Sequence, residues 1–345
     1  MAIRNLNDLI VIGASSLGDL HTNYPGASFN CNIGFQNYNN GFAALATGQS
    51  TLADGNLSTS MGYQCKATGV ASLAGGNTDA ATPTIFTEAK GEASLAFGQT
   101  CITNSNYSQA FGRATATGGG ITTANQAMAM GFQSTAWNDN SFSGGENSNS
   151  FGRAALAFGQ GATASNGIAN ISLGLGTTTS VTAGFGANGQ GQTAVGKYNE
   201  YALAIGHAFA VGTGTSDTSR STALCVTYAN RIGINNTNPG YNLDVTGNGR
   251  YTSTVTATNF ILSSDERKKK DIKDLEPLAI NANWKSFKLK TFPNQYRTGV
   301  VAQELEKQHP EFVRTDSDGY KSVAYVDLLI AKVAELEARL AKLEK

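Results

Sequence analysis

The residues best suited to chemistry in this chain of 345 residues lie where its charge is densest. Ser264 is followed by seven consecutive ionic residues, Asp265 to Asp271, which include Arg267 and three lysines. A serine hydroxyl becomes a nucleophile when a neutral amine beside it can accept its proton. Desolvation and neighbouring cations favour a neutral lysine amine, whereas neighbouring carboxylates oppose it. Lysines beside a serine are more often part of a solvated charged surface, so this stretch alone does not establish a site.

The same stretch separates two parts of very different composition. Residues 1–263 carry 20 Lys, Arg, Asp and Glu residues, whereas residues 264–345 carry 30. Glycine shows the opposite distribution, with 38 before residue 264 and 2 after it. Neither part has the basic stripe that binding to nucleic acid requires. The sequence therefore predicts different domains joined near residue 263, and it disfavours nucleic acid as a partner.

Metal, cofactor and membrane signals are weak. The four cysteines lie far apart and form no CxxC pair, which favours free structural thiols over a zinc site. No apolar stretch approaches the roughly 20 residues of a membrane span. No secretory signal is evident at the N-terminus, so we expect synthesis in a cytoplasm. We also expect no cofactor. The cysteines are Cys31, Cys65, Cys101 and Cys225.

A repeat of fourteen residues runs through residues 35–210, which we call the shaft. Short phrases of alternating apolar and small residues end in glycine, as in Ala155 to Gly159 (ALAFG). Five spacings between these glycines are 14, and gaps of 22 and 19 indicate insertions of 8 and 5. Alternation at a fixed period predicts stacked β-coils. The glycines are Gly48, Gly62, Gly76, Gly98, Gly112, Gly131, Gly145, Gly159, Gly196 and Gly206.

One such coil is too small to bury its own apolar side chains, so we expect burial against neighbouring coils and neighbouring chains. The pattern resembles the heads of trimeric autotransporter adhesins, and similar repeats occur in phage fibres. That resemblance implies a homotrimeric parallel β-roll or β-solenoid. Two phosphate-loop look-alikes, Gly191–Tyr198 and Gly184–Gly189, lie inside the glycine-rich part. Tyr198 replaces the hydroxyl residue of a true phosphate loop, so nucleotide binding is not expected.

Residues 211–263, the neck, are predicted to form short strands and hairpins. Val, Thr, Tyr and Ile alternate there, and Asn238–Gly240 and Gly247–Gly249 supply turns. The phrase from Arg231 to Val245 resembles a module found near the ends of phage tail fibres.

Residues 264–345 carry the most specific resemblance. Their ordered motifs are similar to the intramolecular chaperone, autoprocessing domain of phage tail spikes and fibres, first typified by endosialidase spikes. These motifs are Ser264–Ile272 (SDERKKKDI), Thr298–Leu305 (TGVVAQEL) with Pro310–Val313 (PEFV), Asp318–Leu329 (DGYKSVAYVDLL) and a terminal helix. The resemblance implies a small α+β domain that assists the folding of the chain.

The resemblance also implies self-cleavage of the bond between Ser263 and Ser264, with Ser264 as nucleophile and Lys269 as base. A spacing of five residues does not place two side chains on one helix face, so the pair needs a bent segment or a neighbouring chain. Lys268 occupies a position that is usually apolar in the family. If an apolar residue there desolvates the lysine, processing of this chain would be slow or absent.

The terminal helix has its own pattern. Its apolar residues are spaced 4, 3, 4 and 3, which predicts the a/d seam of a coiled coil. The alternative is a helix that packs on its own domain. The seam residues are Leu329, Val333, Leu336, Leu340 and Leu343.

These features favour a homotrimeric phage fibre or appendage protein for attachment to the host surface. Residues 1–34 would bind a virion protein, and Asn77–Gly91 and Trp137–Ser143 would be insertions that form receptor loops or simple spacers between coils. The receptor would be a host surface glycan or protein, and the chain would be located in the virion. Alternatives are a depolymerase of host polysaccharide, with Asp139 and Glu146 as its nearest carboxylate pair, or a chaperone domain that is retained uncleaved. A bacterial surface adhesin is disfavoured.

Overall fold

The computed structural model describes residues 31–78, 86–117, 125–165, 167–179, 191–200 and 206–344. Residues 1–30 of the predicted attachment segment and the motif Gly184–Gly189 lie outside them. The chain divides into two compact units, Met1–Thr252 and Ser253–Lys345. The first is a β-solenoid of about 13 turns, and the second is a small domain that ends in a helix, as the sequence predicts.

Long and short strands alternate along the solenoid. They are β1 (Cys31–Phe35), β2 (Tyr38–Asn39), β3 (Leu45–Gln49), β4 (Leu52–Ala53), β5 (Thr59–Tyr63), β6 (Cys65–Ala67), β7 (Leu73–Asn77), β8 (Thr87–Ala89), β9 (Leu95–Gln99), β10 (Ile102–Thr103), β11 (Gln109–Arg113), β12 (Ala116–Thr117), β13 (Met128–Phe132), β14 (Thr135–Ala136), β15 (Phe142–Glu146), β16 (Asn149–Ser150), β17 (Leu156–Gln160), β18 (Thr163–Ala164), β19 (Ile171–Leu175) and β20 (Thr193–Lys197). The long strands form one parallel sheet and the short strands another.

The pairing register confirms the fourteen-residue period and both insertions. Gly48 pairs with Gly62 in the next coil, at the predicted spacing. Gly76 pairs with Gly98 across the longer gap, so the eight additional residues leave the stack in register. Gly112 pairs with Gly131 in the same way.

Close approach between coils explains the glycine at this strand position. Gly112 has a φ of +118°, and a Cβ there would lie 2.0 Å from the carbonyl oxygen of Gly131. Because no side chain fits that gap, alanine would force the coils apart. One predicted member is wrong: Gly206 precedes strand β21 (His207–Thr213), and Gly212 pairs with Gly196 instead. The reason is that the spacing between these two coils is 16 residues rather than 14.

The interior of the solenoid is filled by small side chains, while the larger apolar ones point outwards. In strand β3, Ala46 is fully buried, whereas Leu45 on the opposite face is partly exposed. Buried Ser and Thr hydroxyls bond to backbone carbonyls, as Ser60 does to Cys65 at 2.9 Å. The four cysteines are free thiols, and burial raises the pKa of Cys65 to about 12. That thiol is therefore a packing element rather than a reactive group.

The segment Trp137–Ser143 is not an insertion. Residues 137–141 form the ordinary turn between β14 and β15, and Phe142 and Ser143 begin β15, whose residues stay in the fourteen-residue register. The Trp137 ring packs on Phe151 with centroids 5.5 Å apart. The other predicted loop, Asn77–Gly91, includes residues 79–85, which lie outside the described residues.

The neck contains fewer strands than its alternation predicts. Strand β21 pairs with β22 (Thr222–Thr227), followed by β23 (Ile232–Ile234) and β24 (Leu243–Val245). The fully described stretch 246–284 contains no strand. Its β-forming residues have no partner strand within one chain, and strand propensity alone does not form a sheet.

The C-terminal domain has a conventional apolar core. Its elements are β25 (Lys285–Leu289), β26 (Phe292–Gly299), α1 (Ala302–Leu305), β27 (Val313–Thr315), β28 (Lys321–Val323) and α2 (Tyr325–Leu343), with 3₁₀ turns at Glu266–Lys268 and Pro310–Phe312. Strands β25 and β26 form one antiparallel hairpin, and β27 and β28 form another. The core residues are Ile280, Val300, Leu305, Phe312, Val313, Leu328 and Ala331.

Candidate functional site

A short capped turn begins directly after Ser264. Asp265 is the N-cap of the 3₁₀ turn, and its Oδ1 accepts the backbone N–H of Arg267 at 2.9 Å. The guanidinium of Arg267 also donates to both carboxylate oxygens of Asp265, at 3.0 and 2.6 Å. This contact lowers the pKa of Asp265 and raises that of Arg267. The aspartate is thereby held in the form that caps the turn.

The turn brings the two predicted catalytic residues together. Lys269 Nζ lies 2.8 Å from Ser264 Oγ, within hydrogen-bond distance. The backbone N–H of Lys269 donates to the carbonyl of Glu266 at 2.9 Å, which closes the turn. The bend that a spacing of five residues requires is therefore present within a single chain.

The pair is open to solvent in one chain. All residues from 251 to 279 are exposed, including Ser263, Ser264, Lys268 and Lys269. Water therefore surrounds the amine of Lys269 in this state. The contact has the geometry for proton transfer, but the surroundings that would activate it are absent from the single chain.

Three side chains anchor the segment that follows the pair. Glu335 accepts the backbone N–H of Ile280 at 3.0 Å, and Lys332 donates to the carbonyl of Ile280 at 3.1 Å. The buried His309 ring accepts the N–H of Asn281 through Nε2 at 3.2 Å. Lys332 and the backbone contact lower the pKa of Glu335. Sequence reasoning missed this clamp; the i,i+3 spacing of Lys332 and Glu335 was visible, but their backbone target was not.

Helix α2 presents two different apolar faces. Leu328 and Ala331 are buried in the core of the domain, as the alternative of a helix packed on its own domain predicts. The predicted seam residues, in contrast, are 49% to 84% exposed: Leu329, Val333, Leu336, Leu340 and Leu343. The helix therefore packs on its own domain and leaves the predicted seam residues exposed in a single chain.

The carboxylates considered for glycan hydrolysis bond within the solenoid. Asp139 Oδ1 accepts the backbone N–H of Asn125 at 2.7 Å, in the preceding coil. Glu146 Oε2 accepts from Gln160 in the next coil at 3.1 Å. Each contact links residues 14 positions apart, so both acids connect neighbouring coils.

The other chemical motifs form no site in the described part of the chain. The phosphate-loop look-alike contains strand β20, with its Gly196 paired to Gly174 of β19. Among the described residues, no group of three or more His, Cys, Asp and Glu side chains is placed to hold a metal ion. Nor does any described helix have the length and apolar character needed to cross a bilayer.

Comparison with known proteins identifies the region that carries the Ser264–Lys269 contact. Residues 264–314 match the family described as the chaperone of endosialidase. No curated protein and no solved structure matches the chain. The matched region begins at Ser264 and ends before helix α2. Together with the solenoid, this match fits a protein of the tail-fibre or endosialidase type with a C-terminal chaperone domain.

Proposed function

We propose that this chain is a homotrimeric phage fibre or appendage protein that attaches the virion to the host surface. Its C-terminal domain acts as an intramolecular chaperone and cuts itself away between Ser263 and Ser264. The observation that carries the proposal is the 2.8 Å contact between Lys269 Nζ and Ser264 Oγ. It occurs at the first residue of the region that matches the chaperone family.

The distribution of apolar residues supports the trimer. Large side chains lie on the outside of the solenoid, where Phe35 and Phe158 are more than half exposed. The seam of α2 is equally uncovered. The Phe142 and Phe158 rings stack with centroids 6.3 Å apart, so apolar side chains of neighbouring coils adjoin on this surface, as they do at an interface. Three identical chains would cover both regions with residues of the same kind, as the resemblance to trimeric heads implies.

Cleavage follows from the contact if the Lys269 amine is neutral. The amine takes the proton of Ser264 Oγ while the oxygen attacks the carbonyl carbon of Ser263. An ester forms between the Ser263 carbonyl and Ser264 Oγ, and the peptide C–N bond breaks as its nitrogen receives the proton from Lys269. Water then hydrolyses the ester, which leaves a carboxylate at Ser263 and restores the hydroxyl of Ser264.

Assembly supplies the condition that one chain lacks. Because the pair is exposed in a single chain, a neighbouring copy is needed to exclude water and favour the neutral amine. Strands that pair between chains fold slowly and expose unpaired edges, so a trimerising domain at the C-terminus is useful during assembly. Its removal afterwards leaves a shaft whose stability is kinetic, because the template needed for reassembly is gone.

The test compares the wild type with Ser264→Ala and with Ser263→Ala as the matched control. We expect the wild type and the control to give fragments of 263 and 82 residues, whereas Ser264→Ala stays at 35.9 kDa. Light scattering of the Ser264→Ala protein should give three times the chain mass. N-terminal sequencing of the small fragment should start at Ser264. A trimer of intact wild-type chains would contradict self-cleavage and leave the uncleaved chaperone as the answer.

A further inference from the structure

A groove in the C-terminal domain combines acidic and apolar side chains. It has a volume of about 670 Å³ and is lined by the segment 271–278, the turn around Phe312 and the first half of α2. Lys273 is the only basic residue that lines this described groove. Five acids line the groove together with apolar residues that include Leu275 and Ile330; the acids are Asp271, Asp274, Glu276, Glu311 and Asp327.

The groove is a built feature of the domain. Lys332 and Glu335 on α2 hold the backbone of Ile280, directly after the segment that forms one side of the groove. That segment is thereby tied to the helix that forms the other side. Phe312 in the lining belongs to the apolar core, so the base of the groove is continuous with the folded domain.

A single chain leaves the lining unsatisfied. Within the described residues, Glu311 contacts His309 Nδ1 at 3.2 Å, whereas the other four acids make no ion pair or hydrogen bond through their side chains. Leu275 and Ile330 are 59% and 57% exposed. The group that matches such a lining is a lysine side chain, since it offers an ammonium head to the carboxylates and an aliphatic stem to the apolar residues.

The chain carries matching lysines next to the cleavage site. Lys268 and Lys270 are exposed, and neither makes an ion pair within the described residues. They precede the acidic segment directly in sequence, yet they do not pair with the groove of their own chain. In a trimer, each copy presents both surfaces, and a head-to-tail contact closes into a ring.

We propose that the groove of one copy binds the side chains of Lys268 and Lys270 of the neighbouring copy, while Lys269 stays on Ser264 of its own chain. The proposal rests on the proposed trimer. It places a neighbour's domain against the segment that contains Ser264 and Lys269, and it thereby connects assembly to the cleavage site. It also gives a role to Lys268, whose charge departs from the motif that this segment resembles.

The test reverses the charge of each surface in the full chain. All variants also carry Ser264→Ala, so that assembly is measured without cleavage. One variant carries Asp274→Lys with Glu276→Lys, and the other carries Lys268→Glu with Lys270→Glu. For each variant alone, the amount of trimer at low salt should be about tenfold lower than for the parent. About 0.5 M salt should make this difference smaller, because salt screens the repulsion between like charges. Glu92→Lys, which reverses an exposed acid on the solenoid, is the matched control and should assemble like the parent.

Two combinations of these variants distinguish a contact between two copies from a contact within one copy. The variant with all four changes should regain full assembly. Co-expression of the two reversed chains should regain part of it, because mixed trimers contain matched contacts at two of three interfaces. Rescue by the four changes without rescue by co-expression would overturn the proposal in favour of a contact within one chain.

Reversals without effect on a trimeric parent would overturn the docking and leave the trimer in place. A monomeric parent, in contrast, would overturn the proposed trimer and the docking together. These two failures are therefore distinguishable from the parent's mass alone.

Discussion

Inside the solenoid the buried side chains are mostly those of alanine, serine, threonine and cysteine, whereas the C-terminal domain closes over isoleucine, valine, leucine and phenylalanine. The solenoid is held by backbone pairing and by polar contacts between residues 14 positions apart, such as Asn40 to Asp54 at 2.8 Å. Its large apolar residues remain outside, on the surface of the single chain. The domain is built in the usual way, with its core inside and one helix face uncovered. The shaft thus leaves its large apolar side chains uncovered in a single chain, whereas the domain buries an apolar core of its own.

We expect the largest effect from a substitution at the close backbone contact between two coils of the shaft. Gly112→Ala places a Cβ 2.0 Å from the carbonyl oxygen of Gly131 at a φ of +118°. We expect a loss of more than about 4 kcal/mol in the stability of the shaft, because the backbone of two coils must move apart. Thermal unfolding followed by circular dichroism measures it.

Gly191→Ala is the control for this substitution. Gly191 also has a positive φ, +68°, but among the described residues no atom lies within 4 Å of the Cβ position. Alanine there should cost only about 1 to 2 kcal/mol, from backbone strain. Equal losses in the two variants would show that close approach between coils is not what selects glycine.

The next effect separates the two faces of α2. Leu328→Ala removes a fully buried side chain and should lower the domain's unfolding free energy by about 2 to 5 kcal/mol. Leu336 lies on the exposed seam, so Leu336→Ala should leave the unfolding free energy of the domain unchanged. It should weaken the association of chains by about 2 kcal/mol per chain. Chemical denaturation measures the first quantity, and light scattering over a dilution series measures the second. Association unchanged by Leu336→Ala would assign the seam no role in the trimer.

The smallest effect concerns the clamp at Ile280. The lowered pKa of Glu335 means that its carboxylate stabilises the folded domain at neutral pH. This stabilisation is complete above the ordinary pKa range of glutamate and is lost as pH falls through the lowered value. Glu335→Gln should therefore be less stable than the wild type at pH 7, and the difference should disappear in acid. A difference that stays constant with pH would exclude the charge as its cause.

The sequence predicts the solenoid well because every coil repeats the same constraint. A glycine every 14 residues reports the close approach of coils, and even the insertions leave the register visible. It fails at Gly206, where one coil has a different length, and in residues 246–263, where strand-forming residues lack a partner. The first failure arises because one coil is longer than the repeat, and the second because strand-forming residues make a strand only where another strand pairs with them.

The sequence predicts the candidate site only in part, for a similar reason. Motif resemblance named Ser264 and Lys269, but only the structure shows that the Asp265–Arg267 cap produces the bend between them. The contacts of Lys332 and Glu335 with the backbone of Ile280 leave no sequence signature, because a backbone target carries no residue identity.

The central claim is that assembly activates the Ser264–Lys269 pair. The most direct test follows the appearance of the 82-residue fragment by intact mass spectrometry while the chain refolds at a series of concentrations. Because the pair is exposed in a single chain, the rate of cleavage should rise with chain concentration and be absent in Lys269→Ala. A cleavage rate independent of concentration, or cleavage that persists in Lys269→Ala, would contradict the account.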